Sequence, residues 1–452
     1  MCRRLSRRMK TKTFINNLFI FLAFILVFIL EVNILGLNPL LVIFIFSVFI
    51  YFLFKQKKNA NLFSLLAQLI LIYLLFLSIT DILIKNNFKI YFVPFALFPM
   101  LVTVIFSELE LSLIMSLALS ITFGFQMRSL EWAVLMLNST IISSLMVWRV
   151  RRRSKLIHTG FVAGLVQVLA CLFMNNFQIK NLSLYLGMFI NGGACGILVS
   201  GILPFFEYLF GRITNISLLE LSDINNPLLK EMILKAPGTY HHSLIVGNLS
   251  EAACEAIGAD ALLSRIGAYY HDIGKINKPQ YFIENQVDSN VLHQELSPSM
   301  SKLVIINHVR EGIELAKKHR LNPRIIDFIE QHHGTSLVYY FYLRALENMA
   351  QDSDVDEEGF RYPGPKPKTK ETAVVLLADS VEAAARTIKE HTPAKITELV
   401  HRIINNKFID GQLDECDLTL KDLEKIAKVF VKILTSMYHA RINYPEKKPS
   451  TS

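Results

Sequence analysis

The feature that most constrains this chain is a change of texture near Phe210. Before that point apolar runs follow one another with few interruptions; beyond it, charged and apolar residues mix as they do in a water-soluble domain. With 452 residues the chain is long enough for two domains, and a hydrophobic content of 52% with 32 Phe is too apolar for one soluble globule. A membrane half followed by a soluble half is the organisation this implies.

A bilayer core is crossed by roughly 17–25 apolar residues in a helix. Eight stretches approach that length: Phe14–Val32, Pro39–Phe54, Phe63–Ile84, Tyr91–Phe106, Leu111–Phe125, Trp132–Trp148, Gly160–Met174 and Leu184–Phe206. Basic residues precede the first, but no small-residue cleavage site follows it, so it reads as a retained helix. The fourth and fifth are short and separated only by Ser107-Glu108-Leu109-Glu110.

Basic residues fall on alternate connections. Arg3, Arg4, Arg7, Arg8, Lys10 and Lys12 precede the first span, Lys55, Lys57 and Lys58 follow the second, and Arg149, Arg151, Arg152, Arg153 and Lys155 follow the sixth. Basic loops stay in the cytoplasm, so the N-terminus is expected inside. An even number of spans then returns the chain to the cytoplasm at Arg212. The expected organisation is a membrane domain over 1–212, a connector helix over 213–236, a cytoplasmic domain over 237–444 and a disordered tail over 445–452. The external connections are too short for a folded ligand-binding domain, which leaves the membrane half as a plain anchor or a sensor of membrane state. No series of Asp, Glu or His runs through the spans, which disfavours a transporter.

The net charge of +9 could suggest a nucleic acid polymer, but many Lys and Arg flank apolar runs, where topology explains them; no such polymer is expected. Cys2, Cys171, Cys195, Cys254 and Cys416 form no CxxC pair, so neither a disulfide scaffold nor a thiolate zinc site is expected.

The soluble half reads as all-α. After Pro237-Gly238, taken as a break, apolar residues recur at helical spacing over Ser243–Ile257, Ala261–Tyr270, Ser299–Arg320, Pro323–Gln331, Leu337–Ala350, Lys370–Glu390, Pro393–Asn406 and Leu420–Ala440. Gln351–Thr369 reads as a loop.

Histidines collect at helix ends in this half. His242 precedes one helix, His271-Asp272 ends another, His308 sits in an amphipathic helix, and His332-His333 stands before Gly334. Asp379 lies in the apolar run Ala373–Ala378 and beyond, where a carboxylate costs several kcal/mol unless it is paired or bound to a cation. A lone His at a helix end is commonly a cap or a satisfied core residue, and an His-Asp dipeptide alone says little. Together these residues form a nitrogen and oxygen ligand set. It suits two divalent transition-metal ions, Mn or Fe before Zn, with Mg and Ca poorly matched. An Asp can bridge two such ions, which can then clamp an in-line attack on phosphorus.

The pattern His242, His271-Asp272 and Asp379 resembles the signature of the HD superfamily of metal-dependent phosphohydrolases, and His308 with His332-His333 resembles its two-metal phosphodiesterase branch. Segments 238–243, 268–275, 282–286, 331–335 and 360–366 are similar to the seven-transmembrane HD (PgpH-type) family, which hydrolyses cyclic di-AMP to linear pApA. The resemblance covers the soluble half and the preceding spans. That family usually carries a large extracellular domain after its first helix; here only residues near Asn33–Asn38 separate the first two spans.

By this resemblance His242, His271, Asp272, His308, His332, His333 and Asp379 are the expected metal ligands, with Asp272 as the bridge. Lys275 is expected to meet phosphate charge or protonate the leaving group, the alternative being a solvated turn lysine. Arg361, Tyr362 and Lys366 are expected over the site, with Thr335 as a further phosphate contact; the alternative is a solvated linker. The expected partners are a cyclic dinucleotide, the bilayer and, as an alternative to the monomer, a second copy in a homodimer. Competing readings are another HD-type nucleotide phosphohydrolase, which needs fewer His ligands, and a catalytically silent cyclic-dinucleotide receptor, which predicts a broken ligand set.

Overall fold

The computed structural model describes residues 62–175, 182–286, 296–347, 356–388 and 390–438. The first two expected spans, the Asn33–Asn38 connection and the tail from 445 lie outside the described residues. Among those described the fold is all-α, with no strand and a single isolated bridge between Leu337 and Arg361. The chain divides into two compact units, Met1–Ile216 and Ser217–Ser452.

Among the described residues of the first unit five helices are long and apolar enough to cross a membrane: α1 (Leu62–Lys85), α3 (Leu109–Gln126), α4 (Leu130–Val147), α5 (Arg153–Met174) and α6 (Leu182–Phe210). The expected span Tyr91–Phe106 is divided. A 3-10 turn at Ile90–Phe92 leads through extended Val93 to Pro94, and α2 then runs only over Leu97–Phe106. Pro94 offers no N–H and drives the residue before it out of helical geometry. Ten helical residues rise roughly 15 Å, about half a hydrocarbon core. Helix α2 is accordingly enclosed, with every residue from Phe98 to Phe106 buried.

The carbonyls exposed by this break are met from far along the chain. The Asn191 side-chain amide donates to the carbonyls of Tyr91 at 2.6 Å and Val93 at 2.7 Å. Thr103, Ser112 and Ser144 form a buried hydroxyl chain across α2, α3 and α4. Where apolar contact alone does not favour helix over lipid, such bonds and close backbone packing hold a bundle together. The pair α5–α6 uses the second device. Gly160 and Gly164 on α5 face Gly192 and Gly196 on α6, and a Cβ on Gly192 would collide with the Gly160 carbonyl and stand 2.6 Å from Gly164 Cα.

The boundary falls within α7 (Asn215–Leu221), and the described helices of the second unit continue with α8 (Pro227–Lys235), α9 (Pro237–Ile257), α10 (Ala261–Tyr270), α11 (Pro298–Lys318), α12 (Pro323–Gln331), α13 (Tyr339–Glu347), α14 (Lys370–Ala385), α15 (Pro393–Ile409) and α16 (Leu420–Met437). Helix starts follow a local rule: Asn226, Ser297, Asn322 and Thr392 each cap a helix whose first residue is Pro. Two expectations are corrected by the same chemistry. The connector over 213–236 is two helices rather than one, because Asp223 accepts the Asn225 amide in a turn and Pro227 restarts the chain. Pro237-Gly238 opens α9 rather than breaking it, since Pro fits the first helical turn. His242 therefore stands in the second turn of α9.

Helix α14 forms the centre of this unit. Ala373 to Ala378 are all fully buried, and α9, α12, α15 and α16 pack against it or its neighbours. A helix surrounded on all sides shows no apolar stripe. Among the described residues between α10 and α11 are three 3-10 turns, at Ile273–Asn277, Pro279–Tyr281 and Ile283–Asn285. The first runs against α11 so closely that a Cβ on Gly274 would collide with the His308 carbonyl and stand 2.6 Å from the Gly312 nitrogen.

Replacing Gly192 by Val should separate α5 from α6. In detergent solution the full chain is expected to unfold at a temperature lowered by several degrees, measured by tryptophan-independent dye or light-scattering melts. An unchanged transition would show that the close approach carries no weight.

Candidate metal centre

Six of the seven expected ligands are carried by four helices and their ends, α9 (His242), α10 (His271-Asp272), α11 (His308) and α12 (His332-His333), and the seventh, Asp379, by α14. All seven side chains meet in one place. Six of them form two donor groups, each with its ligand atoms within 4.8 Å of one another: His242, His271 and Asp272 in one, and Asp272, His308, His332 and His333 in the other. Asp272 belongs to both. Its Oδ2 lies 3.2 Å from His271 Nε2 and 3.6 Å from His242 Nε2, while its Oδ1 lies 3.3 Å from His308 Nε2 and 3.5 Å from His332 Nε2. Asp379 also faces both sides, with Oδ1 3.0 Å from His242 Nε2 and Oδ2 3.6 Å from His333 Nδ1.

The rings are oriented by local backbone. His271 Nδ1 donates to the Ala268 carbonyl at 2.6 Å, His308 Nδ1 to Ile305 at 2.5 Å and His332 Nδ1 to Ile329 at 2.9 Å. Each acceptor lies three residues back, so a His near the end of a helical turn fixes its own tautomer. His242 is held differently, its Nδ1 2.6 Å from Glu382 Oε2. In all four, Nε2 is left for the centre. Such partners orient ligands and raise their basicity in metal sites.

Electrostatics follow from burial and these neighbours. Burial opposes charge on His271, but Asp272 outweighs it and pushes the imidazole up to about 10. Burial likewise opposes charge on His242, and hydrogen bonds to Asp379 and Glu382 overcome it, raising its pKa. On the other side burial prevails: His332 is pulled down to about 4, and His333, also beside His332, lies well below the usual range. Burial would raise Asp272, yet His271 and Lys275 hold it well below ordinary carboxylates. The hydrogen bond with His242 and the neighbouring His271 do the same for Asp379 against its burial.

The arrangement fits cations. His308 and His332 both spend Nδ1–H on carbonyls and bring their Nε2 atoms within 3.2 Å of one another. Buried His271 Nε2 and Asp272 Oδ1 have no hydrogen-bond partner. Buried polar atoms are nearly always satisfied, and nitrogen and oxygen donors converging without partners fit divalent metal in each group.

Lys275 stands against this centre, its Nζ 2.7 Å from Asp272 Oδ2 and 2.8 Å from Glu284 Oε1. A cavity of about 360 Å³ opens on the centre, lined among others by Lys275, Phe282, Tyr362 and Arg386. Small-molecule sites commonly measure about 300–1,000 Å³. Tyr362 is the one expected substrate contact that lines it, stacked on His333 at 4.2 Å between ring centroids. Two backbone bonds hold it there, Tyr362 N–H to Ser336 and Val338 N–H to Phe360.

The other three expected substrate residues are placed elsewhere. Arg361 pairs with Asp410 at 2.9 Å and Glu357 at 2.7 Å, and Lys366 lies 3.5 Å from Asp414. The Thr335 amide and hydroxyl are engaged by Gln412. None lines the cavity. Each has a partner in one segment, Asp410–Asp414, that draws them aside.

Two residues the sequence reading missed take part instead. Glu382 orients His242 and stands one helical turn after Asp379 on α14, so the i, i+3 spacing places both on one face. Arg386 donates from Nε to Glu382 Oε1 at 2.7 Å and lines the cavity. His293, to which the sequence assigns no place in the ligand set, lies outside the described residues.

Residues 32–214 match the family described as "7TM receptor with intracellular HD hydrolase", and residues 239–384 match the HD domain family. Over 436 residues the chain is 41% identical to the cyclic-di-AMP phosphodiesterase PgpH of Bacillus subtilis, covering 91% of this chain and 60% of that protein. The protein of the same name from Listeria monocytogenes is 39% identical over 405 residues, covering 87% of this chain and 55% of that one. The chain thus spans 55–60% of the length of these two relatives. A solved structure, the L. monocytogenes PgpH HD domain in complex with cyclic-di-AMP, is 47% identical, is covered in full by 48% of this chain and superposes with a TM-score of 0.46.

If Glu382 orients a metal-binding His242, Glu382→Gln should weaken Mn²⁺ binding by about 10–100-fold while leaving the helical circular dichroism intact. Equilibrium dialysis with elemental analysis measures this; full metal retention in the variant would remove the role.

Proposed function

The chain belongs to the family of seven-transmembrane proteins with an HD hydrolase domain, and from that premise we propose that it is a membrane-bound, metal-dependent phosphodiesterase that opens cyclic di-AMP to linear pApA. The observation that carries this reading is the sharing of Asp272 between two donor groups at the wall of an open cavity. His242, His271, Asp272 and Asp379 would hold one ion, and Asp272, His308, His332 and His333 the second, Mn or Fe by the donor chemistry. Two such ions make water nucleophilic near neutral pH and neutralise charge on a phosphodiester.

The chain's own residues supply the rest. Lys275, clasped by Asp272 and Glu284, fixes the bridging carboxylate, a positioning role in place of proton donation. Arg386 uses only Nε on Glu382, so its terminal nitrogens are left to meet phosphate from the cavity wall. Tyr362 closes the opposite wall and keeps His333 in place. Water adds to one phosphorus and a ribose 3′-oxygen leaves, giving a linear dinucleotide with a terminal phosphate.

Sidedness follows from connectivity. The connection between α4 and α5 carries Arg149, Arg151 and Arg152, and two full-length spans separate it from Arg212. Two crossings return the chain to the side where it began, and basic connections lie in the cytoplasm. We therefore place 237–444 as a hydrolase unit at the cytoplasmic face of the plasma membrane, with 1–212 as the membrane domain. The divided α2 does not enter this count.

Purified full-length protein loaded with Mn²⁺ or Fe²⁺ is expected to convert cyclic di-AMP to pApA, followed by chromatography against a panel of cyclic and linear dinucleotides. Asp272→Ala should reduce turnover to background, and chelation should do the same until metal is restored. Arg386→Ala should raise KM about tenfold or more, the scale of a lost charge-assisted hydrogen bond, whereas Arg361→Ala should leave KM near its original value. Ring opening by Asp272→Ala at the original rate would overturn the reading.

A further inference from the structure

Beside the catalytic cavity lies a second groove of about 320 Å³, lined by Tyr281, Phe282, Ile283, Ile305, Tyr340 and Phe341, with Glu284 at its edge. Phe282, Ile283, Glu284 and Ile305 line both spaces, so the two are continuous. Glu284 turns its carboxylate away, accepting from Lys275 at 2.8 Å and Thr239 Oγ1 at 3.1 Å. Beyond it the walls are aromatic and aliphatic.

Two of these side chains are unusually open for their type. Ile283 is 64% and Tyr340 58% exposed, while Phe282 and Phe341 beneath them are buried. Tyr340 stands edge-on to Phe341 at 5.1 Å, which holds its ring upright from α13. A flat apolar slot with one open aromatic face, joined to a phosphate-directed cavity, suits a heterocyclic base. Stacking on aromatic side chains is how proteins hold unpaired bases.

We propose that this groove is a base subsite: Tyr340 and Ile283 clasp one purine of the dinucleotide while a phosphodiester lies between Arg386 and the donor groups. The inference rests on the phosphodiesterase reading and extends it to substrate selection. A cyclic dinucleotide presents bases on both sides of its phosphates, so a subsite set beside the centre favours it over phosphodiesters that carry no base. Tyr340 and Ile283 are binding residues here and take no part in holding metal.

The test compares the full-length protein with Tyr340→Ala, Ile283→Ser and the conservative Tyr340→Phe. For cyclic di-AMP, Tyr340→Ala and Ile283→Ser should raise KM by roughly tenfold or more, the scale of a lost base stack, with kcat changed by less than about threefold. Tyr340→Phe, which keeps the ring, should restore KM. Bound metal and the hydrolysis of methyl p-nitrophenyl phosphate, which has no base, should be unchanged in all three. Unchanged KM for cyclic di-AMP in both disruptive variants, with ring opening by the unaltered protein intact, would overturn the subsite alone. A fall in kcat on both substrates would assign these residues to scaffold and also overturn it. Failure of the unaltered, metal-loaded protein to open the ring would overturn this inference together with its parent reading.

Discussion

The carboxylate of Asp272 is almost fully buried, with four imidazole nitrogens and one ammonium within 3.6 Å of its two oxygens. A charge in such a place costs several kcal/mol unless it is met on every side, and much of the second unit is arranged to meet it. Helix α10 ends at this residue, and the turn after it is pressed onto α11 at Gly274, which brings His308 to one oxygen. The same turn delivers Lys275 to the other oxygen. That buried ammonium needs a further carboxylate, Glu284, and Glu284 in turn accepts from Thr239 on α9. A similar series runs from Asp379 through His242 and Glu382 to Arg386, which is partly exposed.

How far the sequence anticipated this differs with the reach of the interactions. Helix starts were legible because a capping side chain followed by Pro acts within four residues. The seven donors were legible because His and Asp at helix ends and in apolar runs have few other uses in such number. The residues that support them were not. Glu382 resembles any surface glutamate until its side chain is seen buried against His242. The basic loop after residue 360 reads as a phosphate contact, yet Asp410 and Asp414, some fifty residues later, hold Arg361 and Lys366 away from the cavity. Local composition cannot reveal a partner at that separation, and the arginine that does line the cavity sits in a helix with no such motif.

The membrane unit shows the same limit. Hydropathy alone makes Tyr91–Phe106 a span, since Pro94 and Pro99 barely lower an average. What it misses is that the broken backbone has carbonyls to satisfy, and that the donor is Asn191, about a hundred residues onward. No series of Asp, Glu or His runs through the expected spans, and among the described residues Thr103, Ser112, Ser144 and Asn191 join helices through hydrogen bonds.

Charge gives the last step. In contact at the centre are four carboxylates, Asp272, Asp379, Glu284 and Glu382, against two fixed cations, Lys275 and Arg386. With neutral imidazoles the group carries an excess of two negative charges, and without other cations it can be lessened only by protonating histidines, as the raised pKa values of His242 and His271 reflect. Two divalent ions would displace those protons and turn the excess to two positive. A cyclic dinucleotide brings one negative charge on each of its two phosphates, which would make the loaded complex neutral. Linear pApA carries a terminal phosphate of higher charge, so it would not match the site in the same way. On this reasoning the carboxylates would do more than hold metal: their number would set the charge of the ligand that the filled centre retains, and Glu284 and Glu382, which line the same cavity, would take part in that selection with Asp272.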